Sequence, residues 1–452
     1  MRTRALLRTA AISTVLVLVM AACGNSGDDD DAGGSSDKTT ATTSGETDFT
    51  KNVPVQAPGV TDNEINVVVI SSKTNPLNGK YAELADGMNA YFDMINADGG
   101  IYGRQLKISK ERDDVIGLQN TEQVQASLAE DNAFATFIAT LQFTGADALE
   151  AAGQPTFIWN INPEMPGHDN VFANSPAICF GCAGQIVPYV AQQLGASKVG
   201  VLAYGIANQS KLCAQGIKDS FAKYPTAEVA FYDDTIGYAE PNLSAQVAQM
   251  KEKGVDFVET CMDINEVIVL AKEMQKQGLQ AVQQLPNGYD LELIANNADL
   301  LEGSIVIPQF VAFEQEPQIP EVKTYLAQMK KIGKDPVEVA TTGWILAHQF
   351  VTGLKLAGPE FSQQKVIDGL NTLTDYSDNG FIAPIDWTKQ HNDPATDPSA
   401  RGTEECANFT QVKDGKLVVV WNEPDKQWAC FPEGAATLGK PTYKTFVPEG
   451  SN

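Results

Sequence analysis

Beyond residue 59 the chain alternates short apolar runs with amphipathic stretches of helical period, and that alternation leaves few architectures open. The first run, 65–70, holds Val67, Val68 and Val69 in succession. A strand apolar on both faces is one covered on both faces, as in a parallel sheet. Tyr81, Leu84, Ala85, Met88, Tyr91, Phe92 and Ile95 then share one helical face, which Gly99 and Gly100 end. The pattern continues as strand 105–109, helix 121–130, strand 135–139, helix 146–153 and strand 156–159. A second series runs through helix 184–194, strand 198–203, helix 211–224, strand 228–233, helix 243–253, strand 257–260 and helix 265–278. Repeated βαβ units make a parallel sheet with helices on both faces, so two series predict an α/β chain of two Rossmann-like lobes. In such sheets ligands lie beyond the carboxyl ends of the strands, and two lobes can present those ends to each other across a cleft that closes.

Charge narrows the partners. The 452 residues carry 57 acidic and 32 basic side chains, a formal net charge of −25. Phosphate backbones need a basic surface, so nucleic acid is excluded as the main partner. Hydrophobic residues at 43% and charged residues at 20% suit a chain that buries a core, which removes wholesale disorder, collagen and coiled coil.

The start of the chain reads as an export signal. Residues 1–22 hold Arg2, Arg4 and Arg8 with no acid, followed by an apolar run at 10–22 too short to span a bilayer. Its removal leaves 29 − 57 = −28. Ala21, Ala22, Cys23 and Gly24 resemble a bacterial lipobox, with Met20 where Leu is usual, and imply acylation of Cys23. Residues 23–58, rich in Gly, Ser, Thr and Asp and including the run Asp28 to Asp31, read as a flexible spacer. The body is then tethered to a membrane through lipid and not embedded in it.

Six further cysteines remain: Cys179, Cys182, Cys213, Cys261, Cys406 and Cys430. Outside the cytoplasm an even count favours disulfides. Cys406 and Cys430 bracket a strand run at 416–421 and are placed to pin two neighbouring strands. Cys179 and Cys182 form a lone Cys-x-x-Cys, readable as a redox motif or a zinc half-site, but no second such pair exists and a structural disulfide is the better reading. Cys213 and Cys261 are then the remaining pair.

Catalytic patterns are missing. His168, His348 and His391 share no metal-ligand spacing, and there is no Gly-x-Ser-x-Gly elbow, Gly-x-x-x-x-Gly-Lys-Ser/Thr loop or Gly-x-Gly-x-x-Gly loop. Asp113 with Asp114, and Asp233 with Asp234, are adjacent and so diverge in direction. No metal, cofactor or enzymatic activity is expected.

The stretch 59–114, with GVTDNEINVVV, AYFDMINADGGIYGRQLKIS and ERDD, closely resembles the type I periplasmic binding proteins, and more narrowly the branched-chain amino-acid-binding receptors of ABC transporters. The specific part is 95–104, where Asn96, Gly99, Gly100 and Gly103 let the chain leave a helix and turn into a strand. The resemblance runs from about residue 60 to 430. It implies a first lobe of 59–175 with 308–380, a second of 176–307 with 381–445, a tail at 446–452, and crossings near 173–177, 306–310 and 378–384.

It also implies ligand groups in the loops after the strands, at 71–78, 140–144, 160–162, 204–209, 263–265 and 287–290. The candidates there are Ser72, Asn75, Gln142, Thr144, Asn160, Asn162, Tyr204, Gln209, Asp263, Tyr289 and Asp290. Asn160 and Asn162 read equally as turn residues before Pro163, Thr144 as a helix cap, and Tyr204 and Tyr289 as cleft wall or core. Trp159 reads as core, and Phe310 and Phe313 as hinge packing. Amino-acid-binding members hold a carboxylate on a Ser-rich loop and an ammonium on an acid of the second lobe. Here Leu141-Gln142-Phe143-Thr144 and Trp159-Asn160-Ile161-Asn162 depart from the first pattern, and Asp290 or Asp263 must supply the acid. Neutral hydrogen-bonding groups suit a neutral or zwitterionic ligand. The expected protein is a monomeric receptor that delivers a small polar organic molecule to an ABC permease. The alternatives are a hydrolase or a ligand sensor on the same scaffold.

Overall fold

The computed structural model describes residues 49–446; the expected signal, Cys23 and most of the spacer lie outside them. The first lobe is built from β1 (Glu64–Ser71), α1 (Leu84–Ala97), β2 (Gln105–Asp113), α2 (Asn120–Glu130), β3 (Ala135–Ala139), α3 (Ala146–Ala151), β4 (Thr156–Ile158) and β5 (Val171–Ala173). These strands form one parallel sheet in the order β2-β1-β3-β4-β5. The second lobe continues with α4 (Ile186–Leu194), β6 (Lys198–Tyr204), α5 (Asn208–Lys223), β7 (Glu228–Ile236), α6 (Ser244–Lys253), β8 (Phe257–Cys261), α7 (Ile264–Gln277) and β9 (Val282–Gln283). Its parallel sheet has the order β7-β6-β8-β9. In each sheet the order reverses at the first strand of the series, between β1 and β3 and between β6 and β8, which is where a crevice opens at the carboxyl ends.

The rest of the chain returns to both lobes. It contains α8 (Leu291–Asn296), α9 (Ala298–Leu301), β10 (Ile305–Val306), α10 (Pro320–Ile332), α11 (Glu338–Ala357), α12 (Gln363–Leu370), β11 (Glu404–Ala407), β12 (Thr410–Lys413), β13 (Lys416–Val419), β14 (Trp428–Pro432) and β15 (Thr442–Lys444). Helices α10 and α11 pack on α1. β10, β12 and β13 form an antiparallel sheet that meets β9 through a bridge from Gln284 to Ile305, while β11, β14 and β15 form another.

The contact between α1 and α11 depends on two glycines. A Cβ at Gly87 would sit 1.7 Å from the Ala340 carbonyl oxygen, and one at Gly343 would sit 2.0 Å from that of Leu84. Each helix therefore rests on the other's bare backbone, closer than any side chain would permit.

Differences from the sequence reading have local causes. β5 was not expected, being only three residues long, although Val171, Phe172 and Ala173 are all fully buried. β13 stops at Val419 because Trp421 adopts a left-handed conformation (φ 56°). Asn96 stays helical, and its side chain serves β2 instead: Nδ2 donates to Leu106 O at 2.9 Å and Oδ1 accepts from Leu106 N at 2.8 Å. Residues 49–58, expected as spacer, lie along the first lobe, where Tyr102 N donates to Phe49 O at 2.6 Å and the buried Arg104 donates to Val53 O at 2.7 Å.

All three disulfides are present: Cys179–Cys182, Cys213–Cys261 and Cys406–Cys430. Cys406 and Cys430 face each other in the β11–β14 ladder, and Cys213 ties α5 to the end of β8. Among the described residues no helix is long and apolar enough to cross a membrane.

Candidate ligand cleft

The segments expected to cross between lobes lie side by side. Asn174 Nδ2 donates to Gln309 Oε1 at 2.9 Å, Gln309 Nε2 donates to Asn160 O at 3.0 Å, and Val311 N donates to Phe381 O at 2.8 Å. Beyond the last crossing the chain still packs on β5, with Trp387 and His391 at 5.0 and 5.5 Å from the Phe172 ring.

Opposite these segments the lobes are shut. Leu77 and Ile116 of the first lobe share one apolar cluster with Leu202, Tyr204 and Ala207 of the second. Polar contacts cross the same seam: Tyr81 OH donates to Asp263 Oδ2 at 3.0 Å, Lys80 Nζ pairs with Asp290 Oδ2 at 2.7 Å, Gln142 Nε2 donates to Tyr238 OH at 3.1 Å, and Gln209 donates to the Leu141 carbonyl.

A small pocket lies along this seam. One wall is Lys80, Tyr81 and Trp159, the second is Asp263 to Asn265 at the start of α7, and the third joins Tyr289 and Asp290 to Val337, Glu338 and Val339 at the start of α11. Asp263 is the N-cap of α7, its carboxylate accepting from Asn265 N at 2.9 Å. Burial raises the Asp263 carboxyl above the usual range, against the pull of its hydrogen bonds from Asn265 and Tyr81. Burial likewise pushes Glu338 up to about 7, although Tyr289 N donates to its Oε2 at 3.3 Å. Glu266, in the first turn of α7, is also pushed up to about 7 by burial. Trp159 is 2% exposed, its ring centroid is 5.7 Å from that of Tyr81, and its Nε1 is a buried donor with no acceptor among the described residues.

Of the residues singled out from sequence, the pocket gathers Asp263, Tyr289 and Asp290. Tyr289 contributes its backbone side, because its ring packs on Phe310 and Phe313 and its hydroxyl donates to Glu314 Oε2 at 2.6 Å. Tyr204 lies just behind, its hydroxyl accepting from Asp263 N at 3.2 Å.

Gln142 and Gln209 bridge the lobes, and the remaining candidates hold loops together. Ser72 donates to Asp114 Oδ1 at 2.8 Å, and Asn75 closes its own turn by donating to Ser72 O and accepting from Gly79 N. Thr144 Oγ1 lies 2.7 Å from Thr121 Oγ1. Asn160 Nδ2 donates to Pro176 O at 2.7 Å, and Asn162 Nδ2 donates to Thr140 O at 2.9 Å. Tyr81, Trp159 and Glu338 escaped the sequence reading. Tyr81 and Trp159 carry the pattern of core residues, and Glu338 lies 48 residues beyond Asp290, the last ligand candidate singled out from sequence.

Two parallel α/β lobes joined by three adjacent segments and closed over a pocket at their strand ends define a two-lobed binding protein. The profile of the family described as Periplasmic binding protein matches residues 64–416, and the chain belongs to that family. Among solved structures it is similar to a fatty acid ABC transporter substrate-binding protein from Thermomonospora curvata, at 18% identity and TM-score 0.64, covering 84% of this chain and 95% of that one. It is also similar to the branched-chain amino acid transporter substrate-binding protein LivJ from Streptococcus pneumoniae in complex with isoleucine, at 19% identity and TM-score 0.64, covering 79% and 99%. A third is an ABC transporter solute-binding protein from R. palustris in complex with benzoate, at 16% identity and TM-score 0.62, covering 79% and 96%. These share the type I fold. A comparison with curated protein sequences finds no match.

Proposed function

We propose that the protein is an exported receptor, anchored outside the cell membrane by a lipid on Cys23, that captures a small organic ligand by lobe closure and delivers it to an ABC importer. The observation that carries this reading is the pocket lined from both lobes and bridged by Tyr81 and Asp263. Closure is favoured when a ligand contacts both walls at once, since only differential affinity for the closed state shifts the equilibrium. The lobes are taken as 59–175 with 308–380 and 176–307 with 381–445, except that the stretch to His391 packs on the first lobe, and the binding unit is taken as a monomer. Three similar structures are a fatty acid transporter's binding protein and proteins in complex with isoleucine or benzoate, which supports small organic ligands without choosing among them.

The test is thermal unfolding of refolded, ligand-stripped protein against amino acids, amides, amines, aromatic acids and sugars. A ligand at about 100 times its dissociation constant adds about 2.7 kcal/mol, a shift of several degrees. A saturable shift with the compound recovered intact supports the receptor. Consumption of the compound would replace it with a hydrolase, and silence across the panel would remove the binding role.

A further inference from the structure

We propose that the ligand carries a positively charged nitrogen and no carboxylate: an organic ammonium held by Asp263 and Glu338 against the aromatic wall of Tyr81 and Trp159. This rests on the receptor reading and narrows it to a class of ligand.

The charge of the lining points this way. Asp263, Asp290 and Glu338 are its acids and Lys80 is its one base. Lys80 is already paired with Asp290 at 2.7 Å, which leaves Asp263 and Glu338 without a cationic partner in the pocket. The positive ends of α7 and α11 are no substitute anion sites. Asp263 itself caps α7, and Glu338 occupies the first turn of α11. A buried carboxylate without a cation is costly, and a ligand cation removes that cost where a ligand anion adds to it.

The groups that would receive a carboxylate are committed elsewhere. Gln142 is bonded to Tyr238, Thr144 to Thr121, and Asn162 to Thr140 O across the loops after β3 and β4. Aromatic rings attract cations through their faces, and Tyr81 and Trp159 both line the pocket. The unpartnered Trp159 Nε1 needs an acceptor, which a neutral hydroxyl, ether or carbonyl on the same ligand supplies. Ile264, Leu293, Val337 and Val339 add an apolar side to the lining. The class is a small amphipathic amine or quaternary ammonium compound.

The test uses full-length protein, stripped of ligand, with two sets of probes of constant body and varying charge. One set is 3-methylbutylamine, leucine and 4-methylpentanoate; the other is phenethylamine, phenylalanine and 3-phenylpropanoate. In at least one set the amine is expected to bind about tenfold or more tightly than its matched carboxylate. In Asp263→Asn, which keeps an N-cap oxygen, the preference should shrink to about threefold or less while the ligand-free melting temperature holds. Glu338→Gln should act in the same direction. A carboxylate or zwitterion that binds as tightly as its amine overturns the assignment and leaves the receptor intact, as does an amine preference that survives Asp263→Asn. Silence of both sets also overturns it, and the broader panel then decides the receptor reading separately.

Discussion

Tyr81 and Asp263 stand 182 residues apart in sequence, yet the tyrosine hydroxyl donates to the carboxylate at 3.0 Å, from one lobe to the other. The bond exists only when the lobes are shut. Asn265, within the second lobe, donates to the other carboxylate oxygen, so Tyr81 takes the free one and acts as a latch on the closed state.

Replacing Tyr81 with Phe keeps the ring beside Trp159 and deletes only the donor. A hydrogen bond to a charged group contributes about 1.5–3 kcal/mol, so the variant should favour the open form. Affinity for any ligand found is expected to fall by about tenfold or more. Small-angle scattering should report a larger radius of gyration without ligand. An unchanged radius together with unchanged affinity would show that the latch does nothing.

Stability should fall as pH rises from about 4.5 to 7 at a site far from the cleft. Glu405 is partly buried and accepts from Gln185 N at 2.8 Å, and desolvation pushes its carboxyl from 4.5 up to about 7. Between those values the folded form holds a proton that the unfolded form has lost. Its stabilising contribution is therefore complete below about 4.5 and gone above about 7. Glu405→Gln keeps the acceptor and cannot ionise. Relative to the parent it should gain stability between pH 5 and 8, on the order of 3 kcal/mol. Parallel curves for variant and parent by denaturant unfolding would refute this.

The three disulfides should differ in weight. Their cysteines are separated by 48 residues in Cys213–Cys261, 24 in Cys406–Cys430 and 3 in Cys179–Cys182. Restriction of the unfolded chain grows with the enclosed loop, to about 4 kcal/mol for the longest. Paired Cys→Ser variants should lose stability in that order. Cys179→Ser with Cys182→Ser is expected to cost least, and a larger loss there than at Cys213 and Cys261 would contradict the loop argument.

Gly87→Ala and Gly343→Ala should each destabilise the first lobe by about 3 kcal/mol or more, since the new methyl would have to displace backbone and not a side chain. Circular dichroism melts check this. A variant as stable as the parent would mean that the helices separate without penalty.

The fold was legible because its signal is local. The run Val67 to Val69 and the face from Tyr81 to Ile95 state strand and helix within a few residues. Short strands such as β5, β9 and β10 were not, because two or three residues show no period and their neighbours in space define them. The site was legible only in part. Asp263 and Asp290 sit where strand-end loops must converge, whereas Asn160 and Asn162 sit in equally good places and satisfy the backbone of their own lobe. A side chain's hydrogen-bond partner depends on tertiary contacts, and Tyr81 and Trp159 look identical in sequence to residues that line no pocket.

One wall of the pocket belongs to both lobes at once. Glu338 N donates to Tyr289 O at 3.1 Å and Tyr289 N donates back to Glu338 Oε2, close to the segments that join the lobes. The molecule thus opens like a book whose spine already carries part of the text. Under the proposed closure an arriving ligand meets a finished surface there, and Tyr81 of one lobe and Asp263 of the other come together over it. The spine pair of Tyr289 and Glu338 and the seam pair of Tyr81 and Asp263 are separate sets of residues, so each can be changed without touching the other.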